Sequence, residues 1–405
     1  MTTPTLDVDL TDLDLFTDGD VHGTFARLRR HSPVYWNATP DGGGFWALTR
    51  YRDVAAAYND AARLSSRNGT VMGGSYRRSA DSAGGQMLIA SDSPEHRLLR
   101  QQVHRAFLPD LLERAGTVVR RYVSAALDEV LATGAADFAE VALELPRGLL
   151  AAMFGLDRDE ATRMLTLTRH MIGFKDPLYT DGDDTMTLVA AQVEIFDLIG
   201  ALVAERRRRP GDDLVSILVG ARLNGRPMTE HEILYNCLNV AVGGDETTPF
   251  TAAAAVEAFA HHPEQFDRLL ADPAMLDSAL AEIFRWTSTN SYVQRTAKTE
   301  LTIGGQRITP GQSVTLWNVS ANFDEEVFAR PEVFDVGRHP NRHLAFGSGP
   351  HRCIGLGAAW MEIRILLEEL VERRMRFEVA GPVRRLRSNF MLGPTRLPVR
   401  VQAHR

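Results

Sequence analysis

The segment Phe346-Gly347-Ser348-Gly349-Pro350-His351-Arg352-Cys353-Ile354-Gly355 (FGSGPHRCIG) holds one of the two cysteines of the chain. Its glycines predict a loop that adopts positive φ and lets a flat ligand approach the backbone. A helical pattern follows from Ile354 to about Arg374. Cys353 is therefore predicted at a helix entrance, where unpaired N–H groups and the helix dipole favour a thiolate.

A thiolate in an open, glycine-lined loop suits a single soft metal–sulfur bond, and an iron porphyrin is one candidate. For Cys353 alone simpler interpretations stay open, because a lone cysteine is most often a small buried apolar residue and glycines before a helix often form a plain turn. The whole segment, however, resembles the haem-ligand loop of the cytochrome P450 family, Phe-Gly-x-Gly-x-His-x-Cys-x-Gly, at every fixed position. The resemblance implies that Cys353 ligates haem iron, that Phe346 packs beside the sulfur and that Gly355 leaves room for the porphyrin.

A second unusual segment, Gly243-Gly244-Asp245-Glu246-Thr247-Thr248-Pro249, lies in the middle of a mostly apolar helical pattern from about Glu230 to Ala260. Two glycines in a helix interior cost about 2 kcal/mol together relative to alanine. Pro249 cannot donate a backbone hydrogen bond and crowds the preceding turn. The helix is therefore predicted to bend or open near Asp245.

That bend has two interpretations: a kink tolerated by packing, or a functional opening at which Glu246 and Thr247 face a cavity. The segment resembles the oxygen-activating motif of cytochromes P450, Ala/Gly-Gly-x-Asp/Glu-Thr. The resemblance implies that Gly243 and Gly244 make room for dioxygen, and that Glu246 and Thr247 order water and deliver protons. Pro249 departs from the family pattern and is expected to alter the bend.

A Glu-x-x-Arg pair, Glu282 and Arg285, lies on the helical pattern that precedes Trp286, about seventy residues before the cysteine segment. On its own this spacing indicates only a common surface ion pair worth a few tenths of a kcal/mol. Together with Arg338 it is similar to the buried charge triad of the cytochrome P450 family. The resemblance implies a structural role for the three side chains.

Four basic residues are candidates to bind the haem propionates. His96 and Arg100 are four apart, so both project from one face of a helix. They match a His-x-x-x-Arg pair of the family, and Arg295 and His351 complete the set that the resemblance implies. Without the haem loop, each would be interpreted as a solvated basic side chain.

The chain pattern predicts a mainly α protein with small peripheral β-sheets, and the resemblance implies the cytochrome P450 fold, a helical bundle around haem, as a single domain of residues 1–405. Further expectations are an acidic, solvated tail at residues 1–20, a hairpin within Pro33–Arg50, and a functional or mobile loop from about Ser65 to Ser91. Ser93 is a candidate N-cap for the helix after it. Leu397 to Ala403 is predicted to be an edge strand because it contains Pro398.

Composition limits the functional class. Net charge is −7, hydrophobic residues make up 44% and charged residues 24%, as in an ordinary globular protein. We expect a cytoplasmic monomer that binds no nucleic acid, has no signal peptide and has no apolar run long enough to cross a membrane. Cys237, in the central helix, is expected to be a core residue, and two distant cysteines predict no disulfide framework.

The resemblance implies a haem b monooxygenase that uses O2, with electrons from NAD(P)H through a ferredoxin reductase and a ferredoxin, since the chain has no nucleotide-binding fingerprint. A ferredoxin would dock near Cys353, on cations from Arg97, His104, Arg105 and Arg352. The Arg- and Ala-rich composition is similar to actinomycete-type members that tailor polyketides, terpenoids or peptides, free or tethered to a carrier protein. Alternatives are a haem-thiolate enzyme of oxidative coupling, cyclisation or peroxide use, and a non-enzymatic haem-binding protein.

Family analogy also suggests a substrate pocket, which is expected to be mostly apolar and to accept a medium or large apolar molecule. An aliphatic and aromatic lining is equally typical of a packed core. The candidate lining residues are Met87, Leu88, Ile89, Ile172, Phe174, Val240, Ala241, Gly244, Tyr292, Val293, Phe390 and Met391.

Overall fold

The structure is a computed structural model, and it describes residues 7–40, 42–72, 83–180 and 182–402. Within these ranges sixteen α-helices follow one another along the chain. They are α1 (Leu13–Thr17), α2 (Val21–His31), α3 (Tyr51–Asn59), α4 (Glu95–Val103), α5 (Pro109–Thr133), α6 (Phe138–Val141), α7 (Glu144–Phe154), α8 (Arg158–Ile172), α9 (Asp184–Arg208), α10 (Leu214–Val219), α11 (Glu230–Asp245), α12 (Thr247–His261), α13 (Pro263–Ala271), α14 (Leu276–Thr287), α15 (Asn318–Ala321) and α16 (Leu356–Glu372).

Fourteen strands, most of them short, lie between these helices in the described ranges. They are β1 (Val34–Ala38), β2 (Gly44–Leu48), β3 (Leu64–Ser65), β4 (Ala135–Asp137), β5 (Arg222–Leu223), β6 (Arg226–Pro227), β7 (Tyr292–Ala297), β8 (Leu301–Ile303), β9 (Gln306–Ile308), β10 (Ser313–Trp317), β11 (Phe377–Val379), β12 (Arg384–Arg385), β13 (Pro394–Arg396) and β14 (Pro398–Val401). The predicted mainly α fold with small sheets is confirmed.

The largest sheet has the strand order β1-β2-β10-β7-β3. The predicted hairpin forms its edge, with Val34 opposite Leu48 and Ala38 opposite Gly44 in antiparallel register. β10 runs parallel to β2 and antiparallel to β7, so β7 lies inside the sheet. This places Arg295 on an interior strand, where its side chain can reach the middle of the molecule.

The main core is helical and includes α5, α7, α8, α9, α11, α12, α14 and α16. Its helices begin and end where the sequence contains capping residues. Thr229 caps α11 with a capping box to Glu232, and Asp157 does the same for α8 with Glu160. Gly134 and Gly155 end α5 and α7 in the left-handed conformation. The capping box therefore fixes where α11 begins. The break after Asp245 does not result from a poorly capped start of the helix.

The N-terminal segment differs from the predicted solvated tail. Residues 1–6 lie outside the described ranges, but Leu10 and Phe16 are buried. The ring of Phe16 stacks on Trp317 at 5.6 Å between centroids. The prediction of a solvated tail was wrong for residues 7–20. Apolar residues lie between the acidic positions of this segment, and they pack on the large sheet.

Three local predictions also need correction. α4 has Pro94 at its N-cap, and no side chain caps it, so Ser93 does not act as a cap. β14, which begins at Pro398, is the middle strand of the sheet β11-β14-β4 rather than an edge. Proline is tolerated there because it is the first residue of the strand. The loop predicted from about Ser65 to Ser91 contains residues 73–82, which lie outside the described ranges.

One helix bears on the expectation that no segment could cross a membrane. α9 is, by length and composition alone, long and apolar enough for a membrane span. Its residues Ile195 and Ile199 are fully buried in the core, while Glu194 and Asp197 lie on its exposed side. The helix also exposes Met186, Val189 and Val193, and it packs on the core through its buried positions.

Candidate active site

The cysteine segment forms a loop between the chain that follows α15 and the start of α16. Gly347 and Gly349 have φ of 64° and 66°, as the sequence predicted. A Cβ on Gly349 would lie 2.6 Å from the carbonyl oxygen of Tyr58, so glycine is also required by the approach of α3. The Cys353 N–H donates to the Phe346 carbonyl at 2.9 Å, which closes the loop.

Cys353 lies deep in the protein, yet its side chain is exposed, so the thiol faces interior space. α16 begins at Leu356 with Gly355 as its N-cap, later than predicted. Burial raises the pKa of the Cys353 thiol, while the Gly355 N–H and the guanidinium groups of Arg100 and Arg352 act in the opposite direction. The helix entrance alone therefore does not produce a thiolate, whereas a coordinated metal ion deprotonates a thiol outright.

Basic side chains from three separate segments, α4, β7 and the cysteine loop, meet beside this thiol. The rings of His96 and His351 lie 4.0 Å apart between centroids, and the Arg100 Nη2 donates to the Arg352 carbonyl at 2.7 Å. Burial and the nearby cations of Arg295 and Arg100 lower the pKa of His351 to about 2. Burial, and to a smaller extent the charge of Arg100, lower the pKa of His96 to about 4. The cluster therefore has an excess of positive charge.

This basic cluster fits a dianionic ligand. His96 Nε2 is buried without a hydrogen-bond partner, and the buried guanidinium of Arg295 donates to the Gln294 carbonyl at 2.7 Å. No ion pair joins Arg295 or Arg100 to a carboxylate in the described part of the chain. The nearest acid, Asp92, accepts hydrogen bonds from Ser65 and Ser66 instead. Unpaired donors of this kind suit the two carboxylates of a haem.

The central helix opens where the sequence predicted. α11 ends at Asp245, Glu246 has φ −103° and ψ −36°, and α12 begins at Thr247. Pro249 is therefore in the first turn of a new helix, where its missing N–H would have had no helical partner. The unexpected proline is accommodated by the break rather than distorting a continuous helix.

One face of the opened helix points into interior space. Gly243 is exposed although it lies mid-helix, and a Cβ added to it would meet nothing within 4 Å. Val240 and Thr247, three residues before and four after, share that face and are partly exposed. The Thr247 hydroxyl donates to the Gly243 carbonyl at 3.0 Å. These residues and Cys353 all present accessible surface.

Glu246 does not share this face with Thr247. Its carboxyl is 2% exposed and turns toward α8, where its Oε1 lies 3.4 Å from the Thr168 hydroxyl. Asp245, fully buried, places its Oδ2 3.1 Å from the same hydroxyl. The prediction that Glu246 faces the cavity together with Thr247 was therefore wrong. Glu246 lies behind the break, with Asp245 beside it.

The Thr168 hydroxyl has three neighbours and one proton. Besides the two carboxyls it lies 2.9 Å from the Leu165 carbonyl oxygen, which can only accept. One hydroxyl proton cannot satisfy all three oxygens at once, so the two carboxyl groups share a single hydrogen-bond donor. Burial raises the pKa of Glu246 to about 7, and burial and the neighbouring Glu246 raise that of Asp245.

A third acid belongs to the same region. Glu362 of α16 accepts a hydrogen bond from the Thr248 hydroxyl at 3.1 Å, and its second oxygen is buried without a partner. Burial raises the pKa of Glu362 to about 8. Glu246 and Glu362 can therefore hold protons near neutral pH, and together with Asp245 we call them the acid cluster.

The predicted charge triad is assembled, and it is deeply buried. Arg285 donates from Nε and Nη2 to the two oxygens of Glu282, each at 2.8 Å, and neither side chain is exposed. Arg338 Nε donates to Glu282 Oε2 at 3.0 Å. Remaining guanidinium protons are donated to the Asn322 and Pro331 carbonyls. The triad ties α14 to the segment that leads into the cysteine loop.

The candidate pocket residues divide into two groups. Met87, Ile89, Phe174, Val240 and Val293 each keep part of their surface exposed. Leu88, Ala241 and Met391 are instead buried in packing clusters.

Tyr292 was assigned to the pocket wrongly. It is fully buried, its ring packs on Trp317 at 4.7 Å between centroids, and its hydroxyl accepts from the Met72 N–H. Tyr292 and Arg295 are three residues apart on β7, so their side chains point to opposite faces of the sheet.

Several residues near the site had no signal in the sequence. Thr168, Arg169 and Tyr179 lie in or just after an ordinary amphipathic helix, and the Arg169 Nη2 donates to the Tyr179 hydroxyl at 2.7 Å. Asn236 of α11 bonds to the segment around Leu88. Asp245 and Glu362 had a weak signal, because each is an acid within a largely apolar helical pattern.

The chain is similar to known proteins over nearly its whole length. The cytochrome P450 family model matches residues 25–397. Linalool 8-monooxygenase of Pseudomonas putida is 34% identical over 403 residues, which cover 96% of this chain and 98% of that protein.

Two solved structures are also similar. A Mycobacterium marinum cytochrome P450 in complex with pseudoionone gives a TM-score of 0.89 at 29% identity, covering 99% of both chains. OxyD, a P450 involved in the biosynthesis of vancomycin-type antibiotics, gives 0.88 at 32% identity, covering 98% of this chain and 100% of its own. The chain therefore belongs to the cytochrome P450 family and is an oxidoreductase of the monooxygenase type.

Proposed function

We propose that Cys353 is the axial thiolate of a haem b whose propionates are bound by His96, Arg100, Arg295 and His351. The observation that carries this proposal is the basic cluster beside an accessible thiol, with a buried histidine nitrogen left without a partner. Phe346, whose ring lies 4.7 Å from that of Phe284, supports the loop behind the sulfur. When bound, a haem-thiolate supplies activation of O2 for oxidation of C–H bonds.

The residues of the opened helix are proposed to divide the remaining work. Gly243 and Gly244 leave space for O2, and the Thr247 hydroxyl can hold a water molecule on the accessible face. Glu246, with a pKa raised to about 7, can gain and release a proton at neutral pH. Because Glu246 lies behind the break, we infer that it supplies protons through water rather than by direct contact.

The substrate is proposed to be a medium or large, mostly apolar molecule of secondary metabolism, with an acyclic terpenoid as the favoured class. Met87, Ile89 and Val293 expose apolar surface that can contact such a chain. Two similar proteins are a linalool monooxygenase and a P450 solved with pseudoionone, and both molecules are acyclic terpenoids. Polyketide or peptide substrates, including carrier-tethered ones, are less well supported by these relatives.

Electrons are proposed to come from NAD(P)H through a ferredoxin reductase and a ferredoxin, in the cytoplasm. Arg97, His104, Arg105 and Arg352 are all exposed. Such a set of basic side chains can attract an acidic partner to the face nearest the thiolate.

The test is a spectral titration of the ferric protein with linalool and with pseudoionone, followed by turnover with ferredoxin, its reductase, NADPH and O2. We expect a spin-state shift and a product that gains one oxygen atom. A polar molecule of similar size serves as the control and should produce neither. A product that only loses two hydrogens would replace hydroxylation with oxidative coupling, and the absence of any shift with apolar probes would overturn the substrate proposal.

A further inference from the structure

A buried asparagine joins the central helix to a distant loop. The side chain of Asn236, in α11, is fully buried. Its amide nitrogen donates to the Gln86 carbonyl at 2.8 Å and to the Glu232 carbonyl at 2.6 Å. Its amide oxygen accepts from the Leu88 N–H at 2.9 Å. Both amide protons are thus used, and two of the three bonds cross about 150 residues of sequence.

The loop that Asn236 holds is a compact unit in the described residues 83–91. The Gly85 N–H donates to the Ala90 carbonyl at 2.9 Å, and the Ser91 hydroxyl donates to the Met87 carbonyl at 2.6 Å. These bonds link the loop to itself. Asn236 links this hydrogen-bonded unit to α11.

The position of Asn236 along α11 matters for what the loop covers. Asn236 precedes Val240 by four residues and Gly243 by seven, about two helical turns, so all three lie along one face. That is the face on which Gly243 and Thr247 are accessible. The loop carrying Met87 and Ile89 therefore packs at one end of the space in front of the opened helix.

We propose that Asn236 is a positioning residue for substrate selection: by hydrogen bonding to both Gln86 and Leu88, it holds the loop 83–91 as a wall of the substrate pocket. The inference rests on the proposed function for the location of that pocket. The hydrogen-bonded contact can be tested separately from it. Without Asn236, the backbone groups of Gln86 and Leu88 lose a buried partner, which favours detachment of the loop.

The first experiment is hydrogen exchange of the full-length protein as purified, resolved to the Leu88 amide by fragmentation and mass spectrometry. In the unmodified protein this amide should be among the slowly exchanging ones, although it lies outside the long helices. Asn236→Ala should speed its exchange about tenfold or more. Asn236→Leu, which keeps the branched shape of the side chain but removes its donors and acceptor, should do the same if the alanine variant does not fold.

The matched control is Asn239→Ala, one turn along the same helix. Asn239 is only partly buried, and its side chain makes no hydrogen bond to the loop within the described ranges. This variant should leave exchange at Leu88 unchanged. Rapid exchange of the Leu88 amide in the unmodified protein, or equal acceleration by both alanine variants, would overturn the proposal.

A second readout separates pocket shaping from general stability. Imidazole and 4-phenylimidazole bind ferric haem through the same nitrogen but differ in the space they fill. Asn236→Ala should weaken 4-phenylimidazole several-fold and imidazole less than twofold. Equal changes for both would reduce Asn236 to a structural role. If no haem binds, both spectra are absent and the proposed function fails, while hydrogen exchange at Leu88 still decides whether Asn236 holds the loop.

Discussion

Two groups of buried acids in this protein have opposite surroundings. Glu282 is bound by two guanidinium groups, and it also accepts from the Asn341 side chain at 3.0 Å and the Asp335 N–H at 2.9 Å. The acid cluster of Asp245, Glu246 and Glu362 is contacted chiefly by threonine hydroxyls. Arg169 is near Glu246, but its Nη2 is bonded to Tyr179.

The difference shows how one fold uses buried acids for two purposes. Where cations and donors saturate a carboxylate, its charge is fixed and it connects segments of chain. Where hydroxyls replace cations, burial raises the carboxyl pKa toward neutrality and the group can exchange protons. The first arrangement lies beneath the cysteine loop, and the second lies behind the opening in the central helix.

The largest effect is expected for Glu282→Gln. Removing the charge leaves Arg285 and Arg338 buried with an incomplete set of acceptors, which should lower the free energy of unfolding by about 3–5 kcal/mol. Denaturant unfolding measures this. The control is Glu230→Gln, which breaks a half-exposed pair with Arg207 and should cost less than about 1 kcal/mol. Equal losses in the two variants would mean that the triad does not stabilise the fold.

Glu362→Gln should have the next largest effect, and its sign depends on pH. The folded pKa of about 8 exceeds the ordinary value of 4.5, so the folded protein binds more protons and loses stability as pH rises between these values. Glutamine abolishes this titration, so the free energy of unfolding should fall less steeply as pH rises. At the alkaline end of the range the part of the decline that disappears should be on the order of a few kcal/mol.

Unfolding free energies measured from pH 4.5 to pH 8 test the behaviour of Glu362. Glu372→Gln, an exposed acid at the end of the same helix, should leave the pH dependence unchanged. A parallel pH dependence in the wild type and Glu362→Gln would show that Glu362 does not carry a proton in this range.

Thr168→Val should have a smaller effect, about 1–2 kcal/mol, because two carboxyls lose a hydrogen-bond partner. The Thr168 hydrogen bond lowers the pKa of Glu246, so its removal should raise that pKa above about 7. Infrared titration of the protonated carboxyl band measures the change. The control is Thr166→Val, an exposed position on the same helix, which should leave the titration of the carboxyl band unchanged. An unchanged titration in Thr168→Val would disprove that its hydroxyl is shared by the two carboxyl groups.

The smallest effect on stability is expected for Thr247→Ala, since its hydroxyl contacts only the Gly243 carbonyl within the described chain. Haem binding should be unchanged, but a larger share of the consumed NADPH should appear as hydrogen peroxide because the water-ordering hydroxyl is lost. Thr247→Ser retains that hydroxyl and should keep product formation coupled. Unchanged coupling in Thr247→Ala would remove Thr247 from proton delivery.

The features that were predictable from the sequence are local ones. Gly347, Gly349, the Thr229 cap and the break near Asp245 depend on backbone preferences within a few residues, and the structure contains all of them. The cysteine segment and the Glu-x-x-Arg pair were recognisable because their spacing is fixed. For the same reason the mainly α class could be predicted without knowledge of the packing.

The features that could not be predicted depend on distant partners. Glu246 meets Thr168 across 78 residues, and nothing near either residue indicates which way the carboxyl turns. Tyr292 and Pro398 were misplaced because the side of a strand, and whether it is an edge, are set by neighbouring strands. Asn236 resembled any polar residue in a helix until its contacts with Gln86 and Leu88 were known.

The most direct measurement is the carbon-monoxide difference spectrum of the reduced protein, compared among the wild type, Cys353→Ser and Cys237→Ala. Cys237 is fully buried in the core and provides the matched control. We expect a strongly red-shifted Soret band in the wild type and in Cys237→Ala, and its loss in Cys353→Ser. A red-shifted band that survives in Cys353→Ser, or a wild-type protein that binds no haem, would contradict the assignment of Cys353 as the axial thiolate.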